Sequence, residues 1–146
     1  MDEWRTICCA VDFSEPSRFA LQRAARLARR VDAQLVVAHV VEPERVRALA
    51  TQPELVEAEL THRKALLEAW RVEAEEVRGA PVVARELHGD PVLELLRFAE
   101  AQPVDLLVIG THGHSGLGAV VFGSIANKVV RLAPCPVLSV RPPPPA

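Results

Sequence analysis

Thr6-Ile7-Cys8-Cys9-Ala10-Val11-Asp12-Phe13-Ser14-Glu15-Pro16 is the stretch on which the fold turns. From Thr6 to Val11 the run is apolar without alternation, which suits a strand buried on both faces of a parallel sheet. The chain then changes character. Ser14 can cap a helix, and Pro16 is tolerated in a first turn, where its missing N–H costs nothing. Beyond it Phe19, Ala20, Ala24, Leu27, Ala28 and Val31 recur at helical spacing as an inward face. Arg18, Arg23, Arg26, Arg29 and Arg30 fall mostly on the other side, so the helix is amphipathic. A buried strand running straight into such a helix is the first half of a βαβ unit.

The same grammar repeats along the chain. Gln34 to Val41 is a second buried strand, closed by Glu42-Pro43. Pro53 to Gly79 predicts a long solvated helix, with Leu55, Leu60, Leu66, Leu67 and Trp70 among many charges and Gly79 as its stop. Pro81 to Leu87 is a third strand, and Asp90-Pro91 opens a further helix. Asp105 to Ile109 is the fourth strand. A last helix begins at Ser124 with Ile125, Val129, Val130 and Leu132 on one face, and Pro136 to Val140 is the fifth strand. The order predicts a single α/β domain over residues 1–141, followed by a Pro-rich tail, 142–146. Its architecture is a doubly wound open sheet of five mainly parallel strands with helices on both faces, a Rossmann-like fold. Ligands of such sheets bind beyond the carboxyl ends of the strands, where the strand order reverses.

Composition narrows the class. A chain of 146 residues suits one domain. A net charge of −2 with no basic block argues against a nucleic-acid partner. No apolar run approaches the roughly 20 residues of a bilayer span, and Met1 to Arg5 lacks the basic start and apolar core of a signal peptide. These features predict a cytoplasmic protein with no membrane partner. Cys8, Cys9 and Cys135 are odd in number and spaced for neither a disulfide scaffold nor zinc, and read as packed, reduced thiols.

Chemistry concentrates in the segment from Gly110 to Ser124, which leaves the fourth strand and ends at a helix start. Its glycines let backbone N–H groups approach a ligand. The helix beginning at Ser124 offers free N–H donors and the positive end of a dipole, and Ser124 adds a hydroxyl. Together these suit a phosphate. Neither G-x-x-x-x-G-K-[ST] nor G-x-G-x-x-G is present. His112 and His114 form an H-x-H pair without a third ligand near in sequence, so no metal site is assigned. No catalytic residue is assigned either, because no nucleophile elbow or Cys/His signature occurs.

Gly110-x-x-Gly113, nine residues, then Gly123-Ser124 resembles the G-x2-G-x9-G-[ST] signature of ATP-binding universal stress proteins. Val11-Asp12-Phe13-Ser14, Ala38-His39-Val40, Asp105 to Gly110 and Cys135 to Leu138 are similar to other parts of that family's sequence, in the same order. The resemblance implies an adenine nucleotide alpha hydrolase-like fold and a nucleotide-dependent stress-response regulator or sensor. It implies that Asp12 approaches the ribose, that the backbones of Ala10 and Val11 line the base, and that Val40 contacts adenine. Gly110, Gly113, Gly123, Ser124 and Ile125 would hold the phosphates, with Ile109 and Thr111 beside them. Some nucleotide-binding members carry a hydroxyl where Ala126 stands here. The implied ligand is ATP, with Mg²⁺ as its companion ion, and the implied partner is a second copy, paired through the strand 136–140. Slow ATP hydrolysis at most is expected. Two alternatives stand beside this: a hydrolase acting on adenine nucleotides, and a stress protein without nucleotide binding. The first lacks the S-G-G-x-[DS] loop of the ATP pyrophosphatases, since Asp12-Phe13-Ser14-Glu15 occupies that place; intact Gly113 and Gly123-Ser124 argue against the second.

Overall fold

A computed structural model describes residues 3–44, 48, 51–111 and 123–144. In chain order these hold β1 (Thr6–Ala10), α1 (Glu15–Val31), β2 (Gln34–Val41), α2 (Pro53–Arg78) and β3 (Val83–His88). There follow α3 (Pro91–Ala101), β4 (Leu106–Gly110), α4 (Ser124–Leu132) and β5 (Val137–Val140). The strands form one sheet in the order β3-β2-β1-β4-β5, and every pairing is parallel, with Cys8 opposite Val36 on one side and Leu107 on the other. The chain winds outward from β1 to β3 and then returns to lay β4 against the free side of β1. The switch in direction therefore falls between β1 and β4.

The unbroken apolar runs follow from burial on both faces. Ile7, Cys9, Leu35, Val37, Leu106 and Val108 pack toward α1 and α2. Cys8, Val36, Ala38, Leu107 and Ile109 pack toward α3 and α4. Burial, with a smaller contribution from Cys135, pushes the Cys8 thiol up to about 12; burial, followed by the charge of Cys8, raises Cys9 as well. Both are protonated small hydrophobes rather than reactive thiols.

Helix ends obey local chemistry. The Ser14 hydroxyl accepts from Ser17 N at 3.3 Å, and Asp90 Oδ2 accepts from Leu93 N at 2.9 Å. Each such cap contributes about 1 kcal/mol. Gly79, with φ of 76°, closes α2 in the left-handed conformation. Asp105 stands just ahead of β4, where Oδ2 accepts from the N–H groups of Arg5 and Thr6 at 2.9 Å each and fixes the start of β1.

Two sequence expectations fail. The helical spacing predicts Val31 on the inward face of α1, but it is 42% exposed at the helix end. The same spacing predicts Ile125, Val130 and Leu132 inward on α4; all three are exposed, and Ala126 and Val129 are the buried contacts.

Candidate functional site

Beyond the carboxyl ends of β1 and β4 lies a cavity of about 390 Å³, within the range of about 300–1,000 Å³ usual for small-molecule sites. The turn after β1 supplies its centre. Phe13 adopts φ of 65°, rare for a bulky residue. That conformation turns the chain sharply, so Ser14 caps α1 while Asp12 remains at the cavity mouth. The ring offsets the strain: it packs against His39 at 4.4 Å between centroids, the two planes tilted by 43°, and meets Trp70 edge-on at 5.2 Å.

Asp12 is solvent-accessible on its open side and tied down on the other. Its Oδ1 accepts from Ser14 N at 2.9 Å and from the Ser14 hydroxyl, while its own N–H donates to Ser17 Oγ at 3.3 Å. Partial burial pushes its pKa up, but the hydrogen bonds from Ser14 and Ser17 together outweigh that and hold the carboxyl below its ordinary value. Asp12 is thus a fixed, ionised acceptor facing the cavity.

Opposite stands the start of α4. Its N-cap is Gly123, which has no side chain to accept from the first turn. Among the described residues the N–H groups of Ser124, Ile125 and Ala126 therefore meet no side-chain cap, whereas α1 and α3 are capped by Ser14 and Asp90. Gly123, Ser124, Ile125 and Ala126 all border the cavity. The arrangement places uncapped donors and the positive helix end where an anion could sit.

The remaining wall comes from β2 and α2. His39 is buried, with Nδ1 2.9 Å from Val11 O. Arg63 Nη1 lies 3.0 Å from His39 Nε2, and Arg63 Nε donates to Glu59 at 2.8 Å. Glu59, His62, Arg63 and Leu66 of α2 border the cavity, so the helix read as a solvated surface element also walls the site.

Of the residues singled out in the sequence, Ala10, Val11, Asp12, Val40, Ile109, Gly110, Gly123, Ser124 and Ile125 border this one cavity. Thr111 does not: it is buried, and both its N–H (2.9 Å) and its hydroxyl (3.5 Å) reach Val140 O. Gly113, with His112 and His114, lies outside the described residues. The sequence reading missed Phe13, Glu59, His62 and Arg63 as cavity residues. The signal for the last three was available: Glu59, His62, Arg63 and Leu66 are spaced as one helical stripe. Among the described residues no three His, Cys, Asp or Glu side chains cluster as metal ligands, and no helix is long and apolar enough to cross a membrane.

A parallel sheet in the order 3-2-1-4-5, with a cavity at its switch point, defines a doubly wound α/β domain. The chain belongs to the universal stress protein family, whose sequence profile matches residues 3–141. A universal stress protein of Thermus aquaticus is 37% identical over 94% of this chain and 99% of its own. The solved universal stress protein UspA of Lactobacillus plantarum superposes with a TM-score of 0.80, is 26% identical, and is matched over 97% of this chain and all of its own. Two more distant structures share the fold. One is a universal stress protein in complex with cAMP (TM-score 0.69, 24% identity, 96% of this chain, 98% of its own). The other, from Archaeoglobus fulgidus, is in complex with dAMP (TM-score 0.67, 23% identity, 95% of this chain, 99% of its own).

Proposed function

We propose that the cavity binds an adenine nucleotide, ATP by the family signature, and that occupancy regulates a stress response rather than driving an enzymatic cycle. The observation that carries this reading is the uncapped start of α4 opening onto the same cavity as Asp12 and Val40. Phosphate oxygens would take the N–H groups of Ser124, Ile125 and Ala126, the ribose hydroxyls would donate to Asp12, and the base would lie against Val40. The cAMP and dAMP complexes of distant relatives support the class of ligand. Ala126 brings only its N–H to this task. Mg²⁺ would arrive on the phosphates of ATP.

Binding without turnover follows from the charges. Phosphoryl transfer needs cations around the transferring group, and Gly110, Gly123, Ser124 and Ile125 bring none. Such a site stabilises bound nucleotide without favouring its transition state. Purified protein incubated with ATP and Mg²⁺ should release phosphate well below about 1 per second, the lower end of ordinary enzymatic rates. Faster release would move the hydrolase reading ahead. Mass spectrometry of the denatured, freshly purified protein should find an adenine nucleotide; a different small molecule in stoichiometric amount would redirect the assignment.

The chain is further proposed to act as a homodimer. β5 is an edge strand with Leu138 40% exposed, and an unprotected apolar edge invites pairing with a second copy.

A further inference from the structure

We infer that Arg63 is a ligand-contacting residue on the nucleoside side of the cavity, and that His39 is the positioning residue that holds it there. The inference rests on the nucleotide reading above and names a contact that reading does not contain.

The geometry admits one arrangement of protons. Val11 O is an acceptor, so His39 Nδ1, 2.9 Å away, must carry a proton and donate it. Arg63 is a donor in every state, so His39 Nε2, 3.0 Å from Nη1, must be bare and accept. The two partners together fix the neutral Nδ1–H tautomer. Val11 is itself anchored, because its N–H donates to Ala38 O at 2.8 Å. The chain of contacts therefore runs from the β1–β2 ladder through the imidazole to the guanidinium. Glu59 braces Arg63 Nε at 2.8 Å, and Phe13 covers the His39 ring. An arginine side chain that is only 12% exposed, gripped at Nε and Nη1, has lost its freedom before any ligand arrives. Its remaining N–H groups, on Nη2 and the free side of Nη1, have no protein partner among the described hydrogen bonds, and Arg63 borders the cavity.

Placement along the sheet says which part of a nucleotide it meets. Arg63 is fixed to β2, on the flank of the switch point where Val40 lies. The uncapped start of α4 follows β4 on the other flank, with Asp12 after β1 between them. With phosphates at α4, a nucleotide crossing Asp12 brings its purine to the β2 side. There the guanidinium can donate to a ring nitrogen of the base, as arginine does to purine edges generally.

Calorimetric titration of the full chain with adenosine and with AMP tests this. Arg63→Met should weaken both about tenfold, the cost of losing a charge-assisted hydrogen bond, leaving the ratio of the two affinities unchanged. Arg63→Lys, which keeps the charge without the fork, should recover only part of the loss. His39→Asn keeps a donor for Val11 O and loses the acceptor for Arg63, so it should weaken adenosine as much as Arg63→Met does, and the double variant should be no weaker. His39→Gln keeps an acceptor near the Nε2 position and should retain affinity within about twofold although its thermal stability falls. Affinity in the wild type should also drop on acidification as His39 gains a second proton and sheds Arg63, in the field of Arg63 on α2, Glu86 on β3 and Asp12 after β1. Arg63→Met should lose that pH dependence. Unchanged adenosine affinity in folded Arg63→Met overturns the inference and leaves the nucleotide reading intact. Loss confined to AMP overturns the nucleoside-side placement. A wild type that binds ATP but neither of these compounds overturns the inference alone, and one that binds none of the three removes both readings.

Discussion

A Cβ at Gly110 would stand 2.5 Å from the carbonyl oxygen of Pro16 and 2.8 Å from Ser17 N. The last residue of β4 therefore lies against the backbone of the first turn of α1, and it is this approach that brings the Asp12 turn up to the switch point. Gly110 lies in the phosphate signature, yet what requires glycine there is packing between strand and helix.

Gly110→Ala should consequently lower stability by about 1–3 kcal/mol, the usual cost of overpacking, because the obstructing atoms are backbone and cannot rotate aside. Urea unfolding of variant and wild type measures the difference. A variant as stable as wild type would mean that α1 and β4 are less closely apposed.

Asp12 sets an acid limit. Its folded pKa lies below the ordinary 3.8, so the native state holds fewer protons than the unfolded chain as pH falls toward that value. Its contribution is fully present above 3.8 and is lost on further acidification. Asp12→Asn, which cannot titrate, should show a shallower loss of stability below that pH in denaturant titrations. Identical acid profiles would contradict the hydrogen-bonded carboxylate.

His39 sets a second limit at higher pH. Burial lowers its pKa below 6.5; Arg63 adds to that lowering, while the bond to Val11 and the charges of Glu86 and Asp12 oppose it. The neutral native form is favoured fully above 6.5 and loses its advantage as pH falls below it. Nitrogen-15 shifts of His39 near pH 8 should report a protonated Nδ1 and a bare Nε2. The opposite tautomer would contradict the hydrogen bonds drawn to Val11 and Arg63.

Much of this molecule was legible in its sequence, and the failures have physical causes. Gln34 to Val41 reads as a strand and is one from end to end, because a run buried on both faces has no competing pattern. Ser14, Gly79 and Asp90 mark helix ends through chemistry confined to a few neighbouring residues. The side of α4 that is buried was legible but read too wide: Ile125, Ala126, Val129, Val130 and Leu132 share one arc of this nine-residue helix, and the sheet covers only the middle of that arc, Ala126 and Val129, because how far the helix sinks into its neighbours is a tertiary fact. For Arg63 the helical stripe it shares with Glu59, His62 and Leu66 was visible, but not that this stripe faces the cavity. The reach of Arg63 over β2 depends on where α2 crosses the strand ends, a tertiary fact, and its partner His39 is 24 residues away in the chain.

The edge strand carries a prediction about assembly. Sedimentation or light scattering at micromolar concentration should give a dimer, and Ser139→Pro, which removes an outward-facing backbone donor of β5 while Pro136, Leu138 and Val140 keep the ladder to β4, should give a monomer. A wild type monomeric under those conditions would exclude pairing through β5.

The central claim is that an adenine nucleotide sits with its phosphates at the start of α4. Gly123 has φ of −52° and ψ of 144°, an extended conformation open to any residue, so Gly123→Val should keep the fold while its side chain occupies the phosphate end of the cavity. Calorimetric titration with ATP should give saturable 1:1 binding to the wild-type chain and none measurable to Gly123→Val. An unchanged dissociation constant in the folded variant would place the phosphates elsewhere and contradict the account.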